Sequence, residues 1–150
     1  MYPLIIYFYK VNAPYGCFSN FSPHSIDLDG KRWATVEHYY QAHKFEGTDL
    51  EYLMAEIHAA PTPELAAKIG RAPTHQPHVD WEIDKREVMY RAIWQKFSSH
   101  LDVRQTLLDT LDAEIVEDSP VDYFWGCGID RSGQNQLGRI LMQVRTDLTF

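Results

Sequence analysis

The hydrophobic pattern changes period near residue 34, and this change limits the fold more than any other feature of the chain. Before it, apolar residues fall in short strand-like runs. After it, they recur at helical spacing between recognisable caps and stops. Residues 4–11 read as a buried strand. Residues 25–28 and 31–33 flank Asp29-Gly30, a two-residue hairpin signal, because both turn positions tolerate positive φ. Thr35 is placed to cap a helix running to about Phe45. A second helix fits residues 50–59. A third has Thr62 as cap, Pro63 at its first position and Gly70 at its end. The longest helix covers about residues 81–97, with Trp81, Val88, Met89, Ala92, Ile93 and Phe97 near one face. Leu101, Leu108 and Leu111 mark another. Residues 114–117 form a short strand, and residues 135–148 a final helix striped by Leu137, Ile140, Leu141, Val144 and Leu148. The expected fold class is α+β: a mainly helical single domain, residues 1–150, packed around a small, largely antiparallel sheet.

A chain of 150 residues with 45% hydrophobic content buries roughly two-thirds of its unfolded surface and needs no staple. No run approaches the ~18 apolar residues of a membrane span. The first nine residues are apolar but lack a basic flank and a small-residue cleavage site, so they read as strand, not signal peptide. The net charge of −7 argues against a general nucleic-acid binder, though a few local cations suffice for a phosphate. Cys17 and Cys127 read as free thiols in a reducing cytosol.

Residues 15–23 and 118–134 carry glycine, aromatic and polar groups without a period. A 17-residue irregular stretch in a compact domain is either functional or mobile, and its aromatics argue against simple mobility. The 35–45 helix places Glu37, Gln41 and Lys44 on one stripe. That stripe is either a solvated face or the wall of a cleft, since Tyr39, Tyr40 and Phe45 occupy the other faces. His38 and His43 are roughly 140° apart on the helix, and His75 and His78 lack a third ligand, so no metal is expected. The Gly128–Gly133 spacing matches a phosphate loop, but Gln134 and Asn135 stand where Lys and Ser/Thr belong. Two readings remain for the start of the last helix: its free N–H groups bind an anion, or Asn135 caps it. Trp125 either stacks on a planar ligand or pins its loop to the core. Spacing alone selects no reaction.

Taken in order, several segments resemble the NADAR superfamily of YbiA-like proteins. They are Gly-Cys-Phe-Ser-Asn-Phe (16–21), Trp-Ala-Thr-Val-Glu-His-Tyr-Tyr-Gln-Ala-His-Lys-Phe (33–45) and Ala-Ala-Lys-Ile-Gly-Arg (66–71). Trp81 with Lys85, Val88 and Met89 follows, then Lys96-Phe97, Asp122 with Trp125-Gly126, and Gly-Gln-Asn-Gln-Leu-Gly (133–138) with Leu141-Met142. The resemblance implies N-glycosidase chemistry on phosphoribosylated aminopyrimidine intermediates of riboflavin biosynthesis, giving a free base and ribose 5-phosphate. It implies no cofactor, no metal, a small phosphoribosyl substrate and a cytoplasmic setting, with nucleic acid not expected as a partner except as an ADP-ribosylated base. Cleaving a C1′–N bond builds cationic character at the sugar, which calls for a nearby carboxylate. Glu37 is the first candidate. Lys44 would hold phosphate or protonate the leaving group, or attack a ring-opened sugar as an amine. Phe21 and Trp125 would sandwich the pyrimidine, with Trp81 and Gly126 also in the substrate-binding set. Asn20, Asp122 and Asn135 would hydrogen-bond the sugar or base edge, and Arg71 and Lys85 would take the 5′-phosphate. Competing readings are a module that binds ADP-ribose without cleaving it and a hydrolase of ADP-ribosylated nucleobases.

Overall fold

The computed structural model describes residues 4–149. Its elements are β1 (Ile5–Phe8), β2 (Ile26–Leu28), β3 (Lys31–Trp33), α1 (Val36–His43), α2 (Leu53–Ala59), α3 (Pro63–Arg71), α4 (Trp81–Ser99), α5 (Leu101–Leu108), β4 (Glu114–Glu117) and α6 (Gln136–Thr149). A single 3-10 turn, Gly16–Phe18, precedes β2. The class is α+β, with six helices and two small sheets among the described residues. The chain divides into two compact units. One combines the residues up to Ser22 with those from Phe97 onward; the other is Pro23–Lys96.

The sheets correct the expectation of a largely antiparallel arrangement. In the terminal unit β1 pairs with β4 in parallel, in the register Ile5 to Glu114 and Phe8 to Glu117. Among the described residues only β2 and β3 are antiparallel. A parallel pair needs a long crossover, and here the rest of the chain between the two strands supplies it. β1 is also shorter than residues 4–11 and only half-buried. Ile6 and Phe8 face inward, whereas Ile5 and Tyr7 lie open. The expected apolar run includes residues 1–3 at its start, which lie outside the described residues. The far edge of β4 is closed by the loop that follows it. Asn135 accepts from the Glu117 N–H (2.9 Å) through Oδ1 and donates Nδ2–H to the Ile115 carbonyl (2.9 Å). α6 then buries Leu137, Ile140, Leu141 and Val144.

In the central unit the hairpin forms as its sequence directs. Asp29 (φ 56°) and Gly30 (φ 77°) occupy the two turn positions. Thr35 Oγ1 accepts from the His38 N–H (3.2 Å) and starts α1. Thr62 Oγ1 does the same for α3, with the Leu65 N–H at 3.1 Å and Pro63 in the first turn. Every residue of α1 is buried. α1 packs on α2, α3 and β3, and this encloses its polar stripe.

Two helix boundaries and one apolar stripe differ from expectation. α2 begins at Leu53, because tight turns through Thr48 and Leu50 occupy the preceding residues. α3 continues one residue past Gly70, so this glycine is not a stop signal. In α5, Leu101 and the following Leu111 are exposed, while Val103 and Leu107 face the core. The leucines at 101 and 111 mark the ends of this segment, not its buried stripe. Among the described residues no helix is long and apolar enough to cross a membrane.

Candidate functional site

The stripe on α1 is enclosed, not solvated. Glu37 lies in the first turn and is 4% exposed. A buried carboxylate needs hydrogen bonds or opposite charge, and Glu37 has both. Gln41, one turn along, donates Nε2–H to Glu37 Oε1 at 2.7 Å. Arg71, at the end of α3, brings Nη2 to 3.6 Å from the same oxygen while most of its side chain stays in solvent. The i, i+4 spacing places Glu37 and Gln41 face to face, and the packing of α3 on α1 delivers the guanidinium.

Lys44 follows the helix. Its ammonium donates to the Gly70 carbonyl (3.3 Å) and lies 5.7 Å from the Tyr40 ring centroid. Burial pulls its pKa from 10.5 down to about 8. The Glu37 carboxylate opposes this fall, Arg71 and Lys85 reinforce it, and Glu82 opposes it. The sensitivity of Lys44 to all four places a mixed cluster here, with three cations against two carboxylates, in a chain that is otherwise acidic. A site of this kind can hold a phosphate and supply a proton donor that titrates near neutrality.

Lys85 extends from α4 to pair with Glu82. Trp81, at the start of α4, is buried against Tyr40 and His78, with ring centroids 5.1 and 5.6 Å away. It forms the wall behind the cation–π pair. The two histidines of α1 are spent on structure. His38 is buried between Thr35 Oγ1 (2.8 Å) and the Ala60 carbonyl (2.9 Å). His43 donates Nδ1–H to the Tyr39 carbonyl, and its Nε2 meets Asp29, which also accepts the Tyr39 hydroxyl proton. Among the described residues no group of three or more His, Cys, Asp and Glu side chains is arranged to hold a metal ion.

The remaining candidates belong to the terminal unit. Asn20 and Phe21 are half-buried just after the 3-10 turn, where the Phe21 N–H donates to Ser19 Oγ. Asp122 Oδ1 accepts from the backbone N–H groups of Phe124 (2.9 Å) and Trp125 (2.7 Å). This fixes the aromatic pair, whose rings meet edge to face at 4.8 Å. Gly126 is packed so tightly that a Cβ would fall 2.8 Å from that of Ser119.

Neither reading of the α6 start holds. Gln136 and Leu137 donate their N–H groups to the Phe124 and Trp125 carbonyls, so these amides are not offered to an anion. Asn135 adopts φ 51° and directs its amide to β4 instead of capping the helix. Thus the structure gathers Glu37, Lys44, Arg71 and Lys85 in one unit, and Asp122, Trp125, Gly126 and Asn135 around one loop of the other. Gln41, Tyr40 and Gly70 complete the first group and were not in the expected set. Gln41 had a sequence signal in its place on the stripe, whereas Gly70 was read as a helix end and Tyr40 as one of the aromatics on the other faces.

A family model described as the NADAR domain matches residues 7–149. The chain belongs to the NADAR family. This NADAR domain is 52% identical over 145 residues to a protein of Nostoc punctiforme named N-glycosidase Npun_R5314, covering 97% of this chain and 93% of that one. It is 41% identical over 150 residues to N-glycosidase YbiA of Escherichia coli, covering 100% and 92%. The maize chloroplastic riboflavin biosynthesis protein PYRR is 48% identical over 158 residues, 96% of this chain but only 25% of that protein. The NMR structure of E. coli YbiA superposes with a TM-score of 0.90 at 40% identity, covering 99% of this chain and 87% of that one.

Proposed function

We propose that this NADAR domain is an N-glycosidase that hydrolyses the C1′–N bond of phosphoribosylated aminopyrimidine intermediates of riboflavin biosynthesis, releasing the base and ribose 5-phosphate. The observation that carries the reading is the buried Glu37 carboxylate, held by Gln41 and flanked by Lys44 and Arg71. Departure of the base leaves positive charge on C1′ and the ring oxygen. A carboxylate already desolvated and oriented stabilises that charge without reorganising, or takes a proton from the attacking water. Lys44, with its pKa near 8, is mostly protonated at pH 7 and able to give a proton to the leaving nitrogen. Arg71 and Lys85 supply positive charge for the 5′-phosphate. The names of the N-glycosidase relatives support the bond cleaved, and those of the riboflavin biosynthesis relatives support the substrate class.

The test is product formation. Incubation with a ribosylaminopyrimidine phosphate is expected to release free ribose 5-phosphate, and Glu37→Gln to reduce the rate by about a hundredfold or more while the protein stays folded. Near wild-type turnover by folded Glu37→Gln overturns the role of Glu37. Faster cleavage of ADP-ribosylated guanosine would move the substrate class, and tight binding with no released sugar would make the domain a binding module.

A further inference from the structure

Glu37 is held by a side chain whose own arrangement is costly. Gln41 is 1% exposed, and its Nε2–H goes to Glu37 Oε1. Its Oε1 is buried with no hydrogen-bond partner among the described residues. An amide oxygen left unmatched in the interior is unfavourable. Turning the amide over would be worse, because two acceptors would then face each other across 2.7 Å. The amide therefore has one acceptable setting against an ionised carboxylate. Gly70 makes room for it. A Cβ at position 70 would fall 2.0 Å from Gln41 Oε1, 2.7 Å from its Cδ and 2.9 Å from its Cβ. Gly70 lies within α3, a poor place for glycine on helix propensity, and it has ordinary helical φ. Its missing side chain serves Gln41.

We propose that Gln41 is a positioning residue that keeps the Glu37 carboxylate ionised and aimed, and that Gly70 is glycine to admit it. The inference rests on the proposed role of Glu37 and adds how that role is maintained. A hydrogen bond to the charged form of a carboxyl favours that form. Other charged groups also surround Glu37. Arg71 of α3 and Lys44 favour ionisation, and Glu82 and Lys85 of α4 act on the same cluster through Lys44. On α1 itself, His38 and His43 are turned to Ala60 and Asp29. On α2, His58 is turned to the Arg32 carbonyl, and on β3, Arg32 to Asp27 while Lys31 lies near Trp33.

The experiment compares wild type, Gln41→Met and Gly70→Ala. Methionine keeps the length and apolar bulk of glutamine but cannot donate. The acidic limb of the kcat/KM pH profile is expected to move up by about one pH unit in both variants, a roughly tenfold loss at the foot of the limb, with activity recovering toward higher pH. A merely structural role would lower activity equally at all pH values, and that result overturns the proposal. A second readout needs no turnover: the Glu37 carboxyl carbon, followed by NMR titration, should titrate at higher pH in Gln41→Met than in wild type. An unmoved titration also overturns it. If Glu37→Gln proves active while the carboxyl still moves in Gln41→Met, the catalytic reading of Glu37 fails and the link between Gln41 and its ionisation stands.

Discussion

Replacing Lys44 with methionine should make the protein more stable at neutral pH and less active. The ammonium is charged in a place that disfavours charge: burial lowers its pKa from 10.5 to about 8. At ~1.4 kcal/mol per pH unit this difference is worth about 3 kcal/mol. The sign follows from proton linkage. Below pH 8 the lysine is protonated in both folded and unfolded chains, and the folded state carries the whole penalty. Between pH 8 and 10.5 the folded lysine loses its proton first, and the penalty fades; above 10.5 it is gone. Methionine removes it at every pH. The gain is reduced because the charged group donates to the Gly70 carbonyl and faces Tyr40, contacts worth about 1 kcal/mol each at this exposure. The net expectation is a variant about 1–2 kcal/mol more stable at pH 7, with the wild type closing that gap as pH rises to 10.5. Urea denaturation at pH 6.5, 8, 9.5 and 10.5 measures it. A difference that does not change with pH, or a wild type that is the more stable at pH 7, refutes the reasoning. Loss of activity in the same variant, by about a hundredfold if Lys44 protonates the leaving group, would mark stability given up for function.

Two further substitutions test the scaffold. Asn135→Ala leaves the Glu117 N–H and the Ile115 carbonyl without their side-chain partner, and should cost about 2–4 kcal/mol, read as a lower thermal midpoint. Thr35→Ala removes the α1 cap and should cost about 1 kcal/mol by urea denaturation; because the cap precedes Glu37 by one turn at most, a fall in activity larger than the fall in folded fraction is also expected.

Much of the architecture is legible in the chain because it is local. The Asp29-Gly30 turn, the Thr35 and Thr62 caps and the buried faces of α4 and α6 each depend on residues a few positions apart. Of the candidate site, only the row on α1 is local in this sense. Glu37, Gln41 and Lys44 share a stripe by helical spacing alone, but whether that stripe was solvated or enclosed stayed open until α3 was seen to pack on α1. The segment after β4 was harder. Its glycines and Asn135 suggested an anion loop or a cap, and neither describes it, since the hydrogen bonds that define it join Asn135 to β4 and the first amides of α6 to Phe124 and Trp125.

By itself, the sequence determined most of the secondary elements, the buried faces of α4 and α6, and the membership of an acid, an amide and an amine in a single row. These follow from backbone preferences and from spacing of three or four residues, which act at short range. Tertiary structure alone decided that Ile5–Phe8 pairs in parallel with Glu114–Glu117, that Arg71 reaches Glu37, and that Gly70 leaves space for Gln41. Each of these depends on which surfaces meet after distant segments pack together, and no interval along the chain encodes such a meeting.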